Sequence, residues 1–594
     1  MRDPEVAKQR KPPRLRDLAT AALALALRVA AAAGIGRLPL SRTPQYDSLE
    51  YLLWAQQIAA GNWRWPPHPP HGPAYPYLLG ALLAAGGGSL TFARLVQAAI
   101  GTATCVLVGL TAARWFGARA GIVTTALLAV YGPLIWLDVS IASEGLLMFF
   151  LAAALWSAAS DRQPLLTGAL IGLAALTRPT ALIFLPLLLW IVPRRRAIVA
   201  AAVIAVILPV TIANWRASHA FIPIQSFGGL NLYLGNSPLR DGTASARPGG
   251  EWEALEAQDD LGGRTLQEIR RQPGAFARLL LRKTALTFQN EEVRDTHSFY
   301  FFRDQVPLLR WLPGFMLLFG VAAAGAATAD WRDRRTHFIA AWVALAAASC
   351  VFLVVGARYR IPIVIGLALL GGVWSGGLQA AERRAKARRS ILAGLIAAAC
   401  TRIVAVPASH NLAEEWALTS QSLAKEGLVA DAEKAAQRAI EIDPSNALGW
   451  DARGSALAAA GRAEAVDAFR RALALNPQFA AAHERLAMLL AQIGDVAGAA
   501  EEYRRTIAIT PRQVSALWAL ARLDGALGKP AEGLEMARRA AALQTPVDDD
   551  WLIIAMLAAE LRRFDEANDA LGHIVEPSPR VEQVREAIRR ARGG

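Results

Sequence analysis

Residues 93–137 read ARLVQAAIGTATCVLVGLTAARWFGARAGIVTTALLAVYGPLIWL. Two apolar runs, 93–112 and 119–137, flank a short basic burst at Arg114 and Arg119. A helix crossing the hydrocarbon core of a bilayer needs ~20 mostly apolar residues, and each run is close to that length. Cationic residues gather on the cytoplasmic side of such spans, so the burst reads as a cytoplasmic turn between two transmembrane helices. The same alternation runs in both directions from here. Apolar runs recur near 18–38, 93–112, 119–137, 144–158, 164–177, 180–193, 197–213, 306–327, 336–356, 361–378 and 390–406. Basic bursts separate them at Arg10–Arg16, Arg194–Arg196, Arg332–Arg335 and Arg383–Arg389. With a cytoplasmic N-terminus, eleven spans place every burst on the cytoplasmic side. The run Pro73–Gly88 spans only 16 residues and closes on three glycines, so it is read as an interfacial or re-entrant helix. Counting it as a span would send two of the basic bursts outside. The first span with its basic flank also has the form of a signal peptide; with so many spans following, it is read as an uncleaved anchor.

Composition agrees. Of 594 residues, 54% are hydrophobic and 19% charged, against ~25% charged in ordinary soluble domains, and the mean hydropathy is +0.28. The net charge of +14 would suit a nucleic-acid binder only if it formed one patch or stripe. Instead, residues 407–594 carry 22 Lys+Arg against 27 Asp+Glu, leaving +19 for residues 1–406, where the cations lie in the inter-span bursts. The expected architecture is therefore all-α: a membrane domain over 1–406, with outer loops at 39–92 and 214–305, and a separate domain over 407–594. Cys105, Cys350 and Cys400 lie in apolar runs and define no disulfide framework. The large outer loop is rich in turn chemistry, such as Gly228-Gly229, Asp241-Gly242 and Pro248-Gly249-Gly250.

The C-terminal region has its own period. Pro444, Pro477, Pro511 and Pro546 are spaced by 33, 34 and 35 residues, and a repeat near 34 residues is that of tetratricopeptide repeats. Small residues precede each proline in register (Ala432/Ala436/Ala439, Ala465/Ala472, Ala499/Thr506, Gly533/Ala537/Ala540), which lets paired helices approach closely, while Phe469 and Tyr503 fill the gap toward the next repeat. An α-solenoid of about five helix pairs follows, whose concave face suits an extended peptide; self-association or docking is the competing use.

Ionisable residues at the edges of membrane spans mark functional sites by default. Asp47 and Glu50 follow the first span, Glu144 opens the fourth, Arg178 lies between the fifth and sixth, and Arg358 and Arg360 lie between the ninth and tenth. All fall on the outer side of the threading. Carboxylates can act as general base and guanidiniums can hold a phosphate through forked hydrogen bonds, a combination suited to moving a sugar from a polyprenyl-phosphate to a neutral hydroxyl. Each residue also has a structural alternative: Asp47 with Glu50 as a helix cap, Glu144 as a first-turn acid, the arginines as snorkelling cations. His68-Pro-Pro-His71 is a weak metal pair, because the intervening prolines block helical spacing. Arg282 and Lys283 lie in the large loop, within reach of a donor phosphate or simply in surface contact, and Arg28 is a conspicuous charge in the middle of a span.

Asp47-Ser-Leu-Glu50-Tyr51, Pro73-Ala-Tyr75-Pro76-Tyr77, Ser143-Glu144, Thr177-Arg178-Pro179 and Ala357-Arg358-Tyr359-Arg360-Ile361-Pro362, in this order, resemble the GT-C superfamily of membrane glycosyltransferases. The closer similarity is to the dolichyl-phosphate-mannose protein mannosyltransferase and aminoarabinose transferase branch, over residues 18–380. The resemblance implies Asp47 as catalytic base, Glu144 as supporting acid with Glu50 nearby, and Arg178, Arg358 and Arg360 as ligands of the donor phosphate. It requires no cofactor and leaves a divalent cation open. Protein mannosyltransferases carry an adjacent Asp-Glu pair, whereas Ser48 follows Asp47 here, which bears on the substrate class. Superfamily members with lumenal repeats also share this layout, and in them the repeats present protein acceptors. The implied activity is inverting sugar transfer from a polyprenyl-phosphate donor to a protein hydroxyl at the periplasmic face of a bacterial inner membrane, with membrane lipids as the other partner, no nucleic acid, and the repeats periplasmic. A lipid A or polysaccharide acceptor, a lipid-sugar transporter and a membrane-anchored repeat scaffold are the alternatives.

Overall fold

The computed structural model describes residues 15–63, 65–66, 68–160, 163–243, 255, 260–377, 383–402, 411–576 and 578–593. Among them the chain is all-helical, with one isolated bridge, Thr243 to Val355, in place of any strand. It divides into two compact units, Met1–Ser245 with Asp260–Leu412, and Ala246–Asp259 with Ala413–Gly594. The boundary expected at 406/407 lies outside the described residues, as do the turn Pro248-Gly249-Gly250 and the basic N-terminal residues before Leu15.

In the first unit the apolar runs become α1 (Leu15–Ile35), α2 (Asp47–Ala59), α3 (Ala74–Ala85), α4 (Leu90–Phe116), α5 (Ala118–Val130), α6 (Gly132–Val139), α7 (Glu144–Ala158), α8 (Pro164–Thr177), α9 (Arg196–Ser218), α10 (Gly228–Asn236), α11 (Pro273–Phe288), α12 (Phe315–Thr328), α13 (Arg334–Phe352), α14 (Ile363–Gly377) and α15 (Arg383–Cys400), besides shorter turns. Four described helices (α1 from Leu18, α4, α9 with the turn before it, and α13) are long and apolar enough to cross a membrane, and α5 with α6, bent by 65°, makes a fifth if taken as one span. The other apolar helices have 10–17 residues. At ~1.5 Å per residue, a 15-residue helix covers ~22 Å, short of the ~30 Å core. The expected eleven runs each overlap described helices, that near 306–327 broken between Arg310 and Phe315 and that near 390–406 followed as a helix to Cys400, while helix length alone accounts for four or five spans. The run Pro73–Gly88 becomes the 12-residue α3, packed against α2 through Gly80, where an added Cβ would fall 2.8 Å from Ile58.

Without water to drive apolar association, membrane helices pack through small residues. Gly168 of α8 lies so close to α9 that a Cβ would sit 2.4 Å from the Val199 carbonyl. Gly325 of α12 lies against α14 in the same way, 1.9 Å from the Leu370 carbonyl.

Arg28, the mid-span charge, is fully buried. Its Nε donates to Asp138 Oδ2 at 2.7 Å and its Nη2 to Cys105 Sγ at 3.2 Å, which ties α1, α4 and α6 together just before the turn that leads to Glu144. Breaking a buried pair from one side leaves the other charge stranded, at about 3–5 kcal/mol. Arg28→Leu should therefore lower resistance to unfolding in detergent by that order, and adding Asp138→Leu should recover most of it; equal stability of the two variants would show that the pair is not coupled.

The second unit comprises the pairs Ala413–Lys425 with Val429–Ile442, Ala447–Ala459 with Ala465–Leu475, Ala480–Gln492 with Val496–Ile509, Val514–Ala526 with Pro530–Leu543, and Asp548–Glu560 with Phe564–Gly572, followed by Pro579–Gly593. Ala439, Ala472, Thr506 and Ala540 are all buried, as the small-residue register requires. Phe469 is buried against Gly454, where a Cβ would lie 2.8 Å from its ring.

Candidate active site

Asp47 is the first residue of α2, but neither it nor Glu50 caps that helix. The residue before it, Tyr46, has φ +54°, and no side chain caps the helix start. A non-glycine residue in the left-handed region is uncommon and persists where surrounding structure holds it. Here the Asp47 carboxylate is drawn across to Arg358, whose Nη1 donates to Asp47 Oδ2 at 2.8 Å. The next residue, Ser48, donates to the Ile141 carbonyl at 2.8 Å, which fixes α2 against the segment that carries Glu144.

Arg358 belongs to the one-turn helix Ala357–Arg360. Its fork also grips Asp295, with Nε to Oδ2 at 2.7 Å and Nη2 to Oδ1 at 3.1 Å, and its Nε stands 3.8 Å from Glu144 Oε1. Glu144, fully buried at the first position of α7, pairs with Arg178 Nη2. Arg178 lies where Pro179 ends α8. Its Nε donates to Ser143 Oγ at 3.2 Å, the Tyr51 hydroxyl donates to the same oxygen at 3.3 Å, and its guanidinium lies 5.0 Å from the centre of the Tyr359 ring. Ser143 is thus occupied by Arg178 and Tyr51 and does not cap α7.

Asp47, Glu144, Arg178 and Arg358, scattered over 312 positions of sequence, therefore converge. Asp295 joins them; sequence reading had not singled it out, although it lies in Glu291-Glu292-Val293-Arg294-Asp295, an acidic cluster at the end of the large outer loop that was its available signal. Glu50 lies to one side, its Oε2 2.8 Å from His71 Nε2. The ring of His71 packs on Tyr51 at 4.4 Å. His71 therefore serves this carboxylate rather than a metal pair with His68, and among the described residues no group of three or more His, Cys, Asp or Glu is arranged to hold a metal.

Arg360 points elsewhere. Its guanidinium pairs with Glu292 at 2.6 Å, donates to the Gln289 carbonyl at 2.6 Å and lies over Phe315, so it binds the end of the large loop to α12. Lys283 is not a surface residue either. Its buried ammonium donates to the carbonyls of Gly235 and Leu353 at 2.8 and 2.9 Å and to Asn236 Oδ1 at 3.1 Å, and burial pushes it down to about 8. It anchors α10 to the segment that leads into Arg358.

Burial pushes the Asp47 carboxyl up, but Arg358, His71 and Arg178 outweigh it and hold Asp47 below the usual carboxylate range. Burial likewise drives the Tyr51 hydroxyl well up, so it stays neutral and donates. Asp47, Glu144 and Asp295 thus share Arg178 and Arg358, so an incoming anion must displace a carboxylate from one of these arginines.

Comparison with known proteins adds two findings. Residues 68–215 match the dolichyl-phosphate-mannose-protein mannosyltransferase family, a segment that includes His71, Glu144 and Arg178 but not Asp47, Asp295 or Arg358. The match supports a membrane glycosyltransferase of the GT-C type. The chain is also similar to solved structures of MamA, at 16% identity and TM-score 0.25 over 29% of this chain and 96% of that one, of MamA from Desulfovibrio magneticus RS-1, at 19% and 0.25 over 31% and 97%, and of PilF from Pseudomonas aeruginosa, at 17% and 0.26 over 30% and 88%. No curated protein matches the chain.

Because a depressed carboxyl stabilises the fold above its ordinary pKa and loses that contribution only as pH falls through the lowered value, Asp47 should remain ionised at pH ~4–5, near the unperturbed ~3.9. Carbodiimide labels protonated carboxyls, so Asp47 should resist it there and become labelled in Arg358→Gln, read by peptide mass spectrometry. Equal labelling of both proteins would show that Arg358 does not control Asp47.

Proposed function

We propose that the membrane unit is an inverting glycosyltransferase that moves a sugar from a polyprenyl-phosphate to a hydroxyl acceptor at the outer, periplasmic face of a bacterial inner membrane. The observation that carries this reading is the direct pair of Asp47 with Arg358, flanked by Glu144 and Arg178. In a single displacement the acceptor oxygen attacks C1 of the sugar, its proton passes to Asp47, and the C1–O bond to phosphate breaks with the electron pair leaving on the phosphate. Arg358 and Arg178 stabilise that charge. Arg360, which the family resemblance assigned to the same task, is committed to Glu292 and acts through the loop instead. None of these steps requires a metal.

The ion pairs give the reaction an order. While Arg358 holds Asp47, the carboxylate is a weak base; when the donor phosphate takes Arg358's N–H groups, only His71 and Arg178 still oppose the effect of burial on Asp47, and its basicity rises. Glu144 keeps Arg178 oriented in both states. Burial of the cluster strengthens each of these interactions relative to water.

The acceptor is proposed to be a protein hydroxyl brought by the repeats, because a solenoid offers a long surface for an extended chain and the membrane unit has its cluster at the mouth of the outer loops. Loss of a general base lowers rates by about 10²–10⁴-fold. Asp47→Asn should therefore reduce transfer from labelled polyprenyl-phosphate sugar in membranes by that order at unchanged protein level, and full activity would exclude Asp47 as base. A reporter fused after Gly594 should be active only in the periplasm; cytoplasmic activity would reverse the threading and place the cluster on the wrong side of the membrane for this reaction.

A further inference from the structure

A pocket adjoins the Arg358–Asp295 contact, lined among others by Ser41, Ser48, Arg94, Trp136, Asp295 and Arg358. Two of its donors are unsatisfied. Arg94 is only 3% exposed; its Nη2 donates to the Ser41 carbonyl at 2.5 Å, its Nε has no acceptor, and none of the described carboxylates is paired with it. Trp136 is 4% exposed and its indole N–H also lacks an acceptor.

A buried guanidinium without a counter-ion is strongly disfavoured, and two orphan donors lining the same pocket are rare in folded proteins. Neither donor belongs to the Asp47–Glu144–Asp295 network. Arg358, the other arginine among the described residues lining the pocket, already holds carboxylates, so Arg94 can accept an anion there without first releasing a carboxylate. Trp136 packs at a tilt against Phe299 and Phe302, at 5.8 and 5.6 Å, and with Phe302 gives the pocket an aromatic wall.

We propose that this pocket binds an oxyanion of the glycosyl donor, with Arg94 and Trp136 as its hydrogen-bond donors. The inference rests on the donor-lipid reading above. The oxyanion is either the lipid phosphate or a carboxylate on the transferred sugar, and the two sources respond differently to one experiment.

Full-length protein in nanodiscs is titrated with two probes, polyprenyl phosphate without sugar and polyprenyl phosphate carrying a hexuronic acid. Loss of a hydrogen bond to a charged group weakens binding by about tenfold or more. Arg94→Gln and Trp136→Phe are each expected to weaken both probes if the pocket holds the phosphate. If it holds a sugar carboxylate, they weaken the hexuronate probe alone. Arg94→Lys should recover part of the affinity. Trp136→Phe removes the N–H while keeping the aromatic wall, so it decides the matter should Arg94→Gln fail to fold. Binding of both probes that depends on Arg358 but is untouched in folded Arg94 and Trp136 variants would overturn this inference alone. Failure of the unsubstituted protein to bind either probe would overturn it together with the donor-lipid reading.

Discussion

Arg358 carries a planar fork of N–H donors that can serve several oxygens at once, and here it serves Asp47 and Asp295 directly while standing close to Glu144. Those carboxylates come from the start of α2, the segment 291–295 and the start of α7, so one guanidinium fastens three segments distant in sequence. It does so while nearly buried, at 8% exposure, where an unmet charge would be expensive. The positions of α2, α7 and the segment that carries Asp295 are therefore mutually dependent: each brings a carboxylate to the same guanidinium.

Around this fastening the remaining polar contacts act as supports. Arg360 with Glu292 and Lys283 with the carbonyls of Gly235 and Leu353 hold the residues on either side of Arg358, and Ser48 and Tyr51 tie α2 to the segment through Ser143. Deeper in the bundle, the Arg28–Asp138 pair anchors the helices that deliver Glu144. The helical frame itself is held by glycines at close crossings, which contribute contact area without any charge. Rigid support of this kind suits chemistry in which Arg358 exchanges one anionic partner for another, because only the partner has to move.

Much of this architecture is legible in the residue order. Run lengths and basic bursts mark the membrane half, and the spacing of Pro444, Pro477, Pro511 and Pro546 marks the repeats, because both signals are local and periodic. Site residues were legible to a lesser degree. Asp47, Glu144, Arg178 and Arg358 stand out as charges beside apolar runs, and they do converge. The same rule also selected Arg360, which is spent on Glu292, and passed over Asp295, which sits in a polar loop where a charge is unremarkable. Hydropathy also does not show where a run such as 119–137 breaks, as α5 bends into α6.

Sequence alone settles that the chain is an apolar helical half joined to a solenoid, since burial of apolar surface and close approach of small residues follow directly from residue type and period. Which charges meet is decided only in three dimensions. Arg358 is 311 residues from Asp47 and 63 from Asp295, and no local pattern encodes that approach. The packing of the helices sets those distances, and with them whether a given arginine is available to a ligand or already committed to the fold.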